Sequence, residues 1–385
     1  AGGDVRLSAA STTNTTRLRA GSSTSSVDNQ REEQRLSLTS VSGDKGVTVL
    51  AGNAAVLEGA QVDSRQGHIS LEANDVSVGS ARRRVTDQDV ELTRDGKTKG
   101  WREMESSRNE AAGSTLSSQD GMTIVARTGD IAVTGSTLHS ERGDLALRAR
   151  QDVRIASSTE SETRQSREHA EKKGFLRKSS SDTVKDDRVT REAGSMLSGD
   201  RVSIVAGNDL TVTGSAIVGD RDVTLRAGRD VDISAATETE SHYLLEKKKQ
   251  SGLLDSGGIG FTIGSQSSRH EADEKGTVQS QSVSTVGSTQ GDVTIVADKR
   301  VHLGGADVVA GQDLDIAADS VRIDPGYDKR TRQETFESKQ SGLTVALSGT
   351  VGSALNTAVS TAQQARQESD GRLRTLQGAK AALSG

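Results

Sequence analysis

The residues best placed to do chemistry are aspartates that recur at glycine-containing corners: Asp130, Asp144, Asp209, Asp222 and Asp230. A row of carboxylates is what a hard-metal site or a carboxylate-pair hydrolase requires. Their setting points elsewhere. They sit in turn strings such as Gly207-Asn208-Asp209 and Gly228-Arg229-Asp230, where a short acidic side chain bonds the turn backbone. The six histidines (His68, His139, His169, His242, His270, His302) contain no i, i+4 pair. No Ser-His-Asp order or phosphate loop emerges. Residues 257–264, GGIGFTIG, superficially match a calcium-binding nonapeptide, but Thr262 stands where that motif needs Asp and no second copy follows. Polysaccharide-cleaving enzymes set paired carboxylates beside aromatic sugar platforms. Here six aromatics (Trp101, Phe175, Tyr243, Phe261, Tyr327, Phe336) are spread along the chain. With no cysteine, disulfides, thiol catalysis and Cys-ligated zinc are excluded. The expectation is a chain with no catalytic site, no metal and no cofactor.

What remains is chemistry of contact. Ile259, Phe261 and Ile263 alternate with Gly260, Thr262 and Gly264; Leu343, Val345 and Leu347 alternate with Thr344, Ala346 and Ser348. A strand built this way has one apolar face. Such strands enter a bilayer only with their backbone bonds paired, and roughly ten alternating residues are needed to span it. These runs are short, so packing on the rest of the molecule competes with membrane or partner contact. Two basic clusters, Arg82-Arg83-Arg84 and Lys247-Lys248-Lys249, are candidates for an anionic surface. Nearby Glu238, Glu240 and Glu246 allow the plainer reading of a solvated charged segment.

These segments hang from a repeat. Residues 202–222 read VSIVAGNDLTVTGSAIVGDRD and restart at 223 as VTLRAGRDVDISA, a spacing of 21 residues. The unit recurs at 47–78, 122–156 and 293–323. Each copy shows two alternating runs, such as Val202/Ile204 and Leu210/Val212, with turn residues between them. Two strands and two turns in that length are too short for a βαβ unit. The length suits one coil of a parallel β-helix, right-handed by the crossover rule. Inward Val, Ile and Leu would form ladders between coils stacked about 4.8 Å apart.

A longer period lies above this one. Blocks at about 43–80, 113–158, 194–236 and 287–324, with a partial one at 3–10, alternate with polar excursions at about 11–42, 81–112, 159–193, 237–286 and 325–350. Several excursions open on a Ser/Thr/Glu string, SSTESETRQ at 157–165 or ATETESHY at 236–243. They read as β-hairpin arms or long loops leaving one edge of the helix, with disorder as the competing reading for their tips. Residues 351–385 are Ala- and Gln-rich, with helical spacing at Leu355, Val359 and Ala362, and read as a helical or linker transition.

Composition agrees with a thin repetitive core. Hydrophobic residues make up 31% and aromatics 2%, with 41 glycines and one proline; scattered, so little apolar bulk would mean disorder, but here it is gathered into strand-like runs. A net charge of −5 over 385 residues is not the strongly basic signature of a nucleic-acid binder. No apolar run is long enough for a spanning helix. The chain starts in mid-pattern, as an excised piece would.

AGNDLTVTGSAIVGDRDVTLRAGRDVDISAATETES, followed by KKKQSGLLDSGGIGFTIGS and then SGLTVALSGTVGSALNTAVSTAQQA at 341–365, resembles the second filamentous-haemagglutinin repeat region of two-partner-secretion exoproteins. Among them the growth-inhibition effectors are the most similar. The resemblance covers essentially the whole chain. It implies a secreted, cell-surface protein of a Gram-negative bacterium, exported by an outer-membrane transporter of the two-partner type. It further implies association with a target-cell outer membrane or surface receptor, in support of a C-terminal toxin. An adhesive stalk binding host or bacterial surfaces is the alternative within the same family. A bare β-helix end would also invite end-to-end self-association.

Overall fold

A computed structural model of the chain describes residues 2–255 and 260–346, in which every regular element is a strand. Three parallel sheets, of eight, eight and nine strands, stack coil on coil into a rod. One coil runs through Thr115–Ser118, Met122–Ala126 and Ile131–Thr134; the next repeats as Thr137–Ser140, Leu145–Ala149 and Val153–Ala156. Val202 lies opposite Val223 on the neighbouring coil, so the 21-residue restart is one turn of a parallel β-helix.

Each coil has three strands where the sequence pattern showed two. The additional strand is short and serine-rich, as in Thr115–Ser118 or Met196–Gly199. Its inward face pairs one aliphatic residue with a serine, Leu116 with Ser118 and Leu138 with Ser140, all buried. A four-residue run with one apolar position carries too little alternation to be read as a strand. For the same reason Thr39–Gly43 and Ser284–Ser288, which straddle the ends of the first and fourth excursions as read from sequence, belong to the rod.

The core is a set of ladders. Leu71, Ile124, Leu147, Ile204, Leu225 and Ile295 follow one another in register, all buried. Ala73, Ala126, Ala149, Ala206, Ala227 and Ala297 form a second ladder two residues on, where the cross-section narrows. Burying each large aliphatic side chain contributes about 1.5–3 kcal/mol. Three short sheets around a narrow centre are filled without aromatics, which accounts for the composition.

Polar side chains close the corners. Asp75 accepts the Asp130 N–H (3.0 Å), Asp130 that of Asp152 (2.9 Å), Asp152 that of Asp209 (3.2 Å) and Asp209 that of Asp230 (3.3 Å). Asp75, Asp130, Asp152 and Asp209 are thus a carboxylate ladder satisfying backbone donors, and Asp222 does the same for the Asp292 N–H (3.3 Å). A buried serine stack runs along another corner. Ser136 accepts the Ser114 N–H (3.1 Å), Ser195 that of Ser136 (3.3 Å) and Ser215 that of Ser195 (3.1 Å). Gly135 and Gly214, each one residue before a stacked serine, hold φ of 54° and 55°, where L side chains are disfavoured.

The polar excursions leave after every second coil. Arm 1 is Ala10–Gly21 with Ser25–Ser37, arm 2 is Ala81–Asp95 with Thr98–Ala112, arm 3 is Ser158–Gly174 with Arg177–Ala193, and arm 4 is Glu238–Asp255 with Gly260–Val278. A final strand, Lys329–Ala346, follows the last coil. The arms are not separate. All nine strands join edge to edge in one antiparallel sheet. Among the described residues, none of its strands is laid along a rod strand. The sheet stands off the rod as a fin, open to solvent on both faces.

Candidate functional site: the free edge of the fin

The fin is fixed at its root. Glu160 accepts the N–H of Ala111 at the returning end of arm 2 (3.1 Å), and Glu238 accepts that of Glu192 at the returning end of arm 3 (3.0 Å). Glu192 itself accepts Ser157 Oγ (2.5 Å) and Thr159 Oγ1 (2.8 Å). The Ser/Thr/Glu strings that open arms 3 and 4 therefore staple each arm to the one before it. Glu192 and Glu238 are buried at this end, as are Val85 and Ser158, while Leu254 is buried at the opposite, free end.

Along its length the fin is held by charge and register. One row crosses eight strands as Arg31, Asp87, Ser106, Arg164, Asp187, His242, Glu274 and Arg332. Arg31 pairs with Asp87 (3.2 Å) and His242 Nδ1 meets Asp187 (2.9 Å). The Arg17 guanidinium beside Asp28 (2.6 Å) holds that carboxyl down to about 2. Aromatics pair across arms: Trp101 stacks on His169 (6.3 Å between centroids) and His270 on Phe336 (4.1 Å). Exposed ion pairs each contribute about 0–1 kcal/mol, so cohesion is the sum of many weak terms.

The two basic clusters lie far apart. Arg83 is at the root, near Glu33 (3.4 Å) and Glu110 (3.7 Å), with Arg82 reaching the Thr159 carbonyl (3.5 Å) and Arg84 opposite Asn109. Lys248, paired with Glu246 (3.6 Å), traces in register through Ser181, Ala170 and Gly100 to Thr93. That is ten residues beyond Arg83, or about 33 Å at the usual strand rise. Lys247 and Lys249 flank it, opposite Asp182 and Ser180. Only the lysine cluster belongs to the free end.

The apolar runs do come together. Ile263 of arm 4 lies opposite Leu343 of the final strand, with Leu253 on its other side. Leu253, Ile263 and Leu343 form one row and are 43%, 58% and 75% exposed. Phe261 is opposite Val345 in backbone register. Ile259 and Leu347 lie outside the described residues, as does the 351–385 segment. Three further rows lead up to this one: Gln250–Gln266–Gln340, Ser251–Ser265–Ser341 and Gly252–Gly264–Gly342. The tetrad Gln-Ser-Gly-Leu occurs forward at 250–253 and 340–343 and reversed, with Ile for Leu, at 263–266. That palindrome was the sequence signal for the pairing, and alternation alone did not expose it.

The model of the hemagglutinin-repeat family matches residues 96–175, 176–268 and 263–380. The chain belongs to the hemagglutinin-repeat family. The matched repeats contain the returning strand of arm 2, arms 3 and 4 and the final strand as well as the coils between them, so much of the fin is part of the family unit. This hemagglutinin-repeat chain is 48% identical over 242 residues to a 16S rRNA endonuclease CdiA of Enterobacter cloacae, covering 63% of this chain and 7% of that protein. It is 44% identical over 243 residues to a tRNA nuclease CdiA of Escherichia coli, covering 63% and 8%. It is 40% identical over 273 residues to a deoxyribonuclease CdiA of Dickeya dadantii, covering 71% and 8%. The chain spans less than a tenth of the length of these relatives. No solved structure matches it. The match to hemagglutinin repeats and CdiA proteins marks a repeat region of a secreted exoprotein of the growth-inhibition or adhesin type.

Proposed function

We propose that this hemagglutinin-repeat region is a non-catalytic delivery module. It associates with the outer membrane of a target cell and supports passage of a toxin carried elsewhere in the parent protein, in contact-dependent growth inhibition. The parent would reach the cell surface through a two-partner outer-membrane transporter. The observation that carries this reading is the row Leu253, Ile263 and Leu343, three aliphatic side chains exposed side by side at the free end of a largely polar sheet. Aliphatic side chains held out in water are costly unless something apolar meets them. The relatives support the setting, since they are named CdiA nucleases and toxins.

The fin in this form does not span a bilayer. A transmembrane strand needs an apolar face along about 25 Å of its height, and the rows below the edge are charged. Contact is confined to the free end. The test is flotation of the chain with outer-membrane vesicles, beside Leu253→Asp/Ile263→Asp/Leu343→Asp. Wild type rising with vesicles while the variant stays down, with an unchanged β-sheet signal, supports delivery. If neither rises, the adhesive-stalk reading, with a glycan or protein receptor, replaces it.

The last coil offers a second contact. Its inward rungs Leu314, Val321 and Ile323 are 44%, 47% and 70% exposed. We propose end-to-end association through this face, seen as concentration-dependent sedimentation. A single monomeric species at high concentration rejects it.

A further inference from the structure

Arm 3 reverses through two residues, Phe175 and Leu176, because Gly174 is paired with Arg177. Leu176 has φ of 63°, and among the described residues it is the only non-glycine with φ in the left-handed region. A turn with that geometry normally takes Gly or Asn at the position. Arm 2 follows the rule, turning through Gly96 at φ 35° in the polar string Asp95-Gly96-Lys97. A branched apolar residue with positive φ is a strained choice, and strain is kept where it serves something other than local stability. Nothing among the described residues covers this apex: Phe175 is 93% exposed and Leu176 64%.

The flanks are cationic on both sides. The string is Lys172-Lys173-Gly174-Phe175-Leu176-Arg177-Lys178. Lys178 pairs with Glu171, whose carboxyl it holds below the usual range, and Arg177 donates to Gln250 Oε1 (2.8 Å). Lys172 and Lys173 have no carboxylate partner within ion-pair distance among the described residues. The apex is also continuous with the apolar row, since Leu253 donates its N–H to the Leu176 carbonyl (2.8 Å). Cations two and three residues behind an apolar tip sit about 7–10 Å back along the strand. That is close to the depth at which headgroups overlie the hydrocarbon that takes an interfacial apolar face.

We propose that the arm 3 apex is a lipid anchor for an anionic leaflet. Phe175 and Leu176 enter the hydrocarbon edge while Lys172 and Lys173 lie against headgroup phosphates. This rests on the membrane reading above and adds to it a separate site and a headgroup chemistry.

The test uses the full chain and two vesicle types, pure phosphatidylcholine and phosphatidylcholine mixed with phosphatidylglycerol. Wild type is expected to favour the anionic vesicles. K172Q/K173Q is expected to lose about thirty-fold in affinity for them and little for neutral ones, each lysine near a charged surface counting for roughly five-fold. F175S/L176G removes the strained φ, so its thermal midpoint should hold or rise while binding to the anionic vesicles falls. A merely structural turn predicts no loss of binding there. Wild type that binds both vesicle types equally, or apex variants that bind like wild type, overturn the anchor and leave the membrane reading standing. Wild type that binds neither also overturns the anchor, and flotation with outer-membrane vesicles then decides the membrane reading separately.

Discussion

The rod, with sheets of eight, eight and nine strands, and the fin, with nine, are both stacks of strands, yet they are held by different physics. In the rod every strand turns alternate side chains into a dry interior, so a one-residue slip would expose the whole ladder. In the fin no such interior exists. Its strands are longer, from 12 to 19 residues, but both faces meet water, and register comes from tight turns, root staples and alternating charge. One chain therefore holds a region whose alignment is set by burial and another whose alignment is set by many small polar terms.

The contrast is broken most severely at the ladders. Ile204→Ala should cost about 2–5 kcal/mol, and Ile204→Asp should prevent the rod from folding, since an unpaired charge has no partner there. Leu245→Asp on the fin, at a half-buried position, should cost less than about 1 kcal/mol. Denaturant midpoints by far-UV circular dichroism measure all three. Equal losses in rod and fin would mean that the fin has a core after all.

Gly214→Ala should cost about 1–3 kcal/mol, because the position holds φ of 55° and a Cβ there would lie 2.5 Å from Ala236 Cβ. It sharpens the comparison at the corner from which the arms leave. Next comes an effect of order. Trp101 is the single tryptophan and lies in arm 2, so its fluorescence reports the fin while circular dichroism reports all strands. The fluorescence transition should come at lower denaturant than the bulk of the dichroism change. Coincident curves would join the two regions into one cooperative unit.

Acid should produce the smallest change, and in the fin first. The Asp28 carboxyl lies at about 2 in the folded chain, below its ordinary value of 3.8. Hydrogen bonds from Lys178 and His270 also lower Glu171 and Glu334. Groups lowered on folding stabilise above their unfolded values, and that support fades as pH falls through the folded ones. The Trp101 signal should therefore begin to shift between about pH 4 and 2 while the rod persists. A rod that melts first would reverse the assignment.

Much of this organisation could be read from the residues. The rod was legible because its Val, Ile and Leu recur at a fixed period and stack on their own copies. The serine-rich strand of each coil was not, since one leucine among serines has no periodic signal, and the serine stack beside it forms only once the next coil supplies Ser136 above Ser114. At the free edge, alternation marked Ile263 and Leu343 singly, but their pairing depends on register between segments about eighty residues apart. The arm 3 apex was missed because Phe175 and Leu176 form no alternating run. What distinguishes them is a backbone angle, which no spacing reveals.

The arms follow every second coil, and that interval has a geometric consequence. Strands in either kind of sheet lie about 4.8 Å apart. Two coils lengthen the rod by about 9.6 Å, and one hairpin, being two strands, widens the fin by the same amount. The two structures are commensurate: a hairpin per coil would outgrow the rod, and one per three coils would leave gaps. Length in this molecule is therefore quantised. A whole block can be duplicated or lost with every neighbour still in step, whereas deleting a hairpin alone leaves a two-strand vacancy that the flanking arms must shear to close.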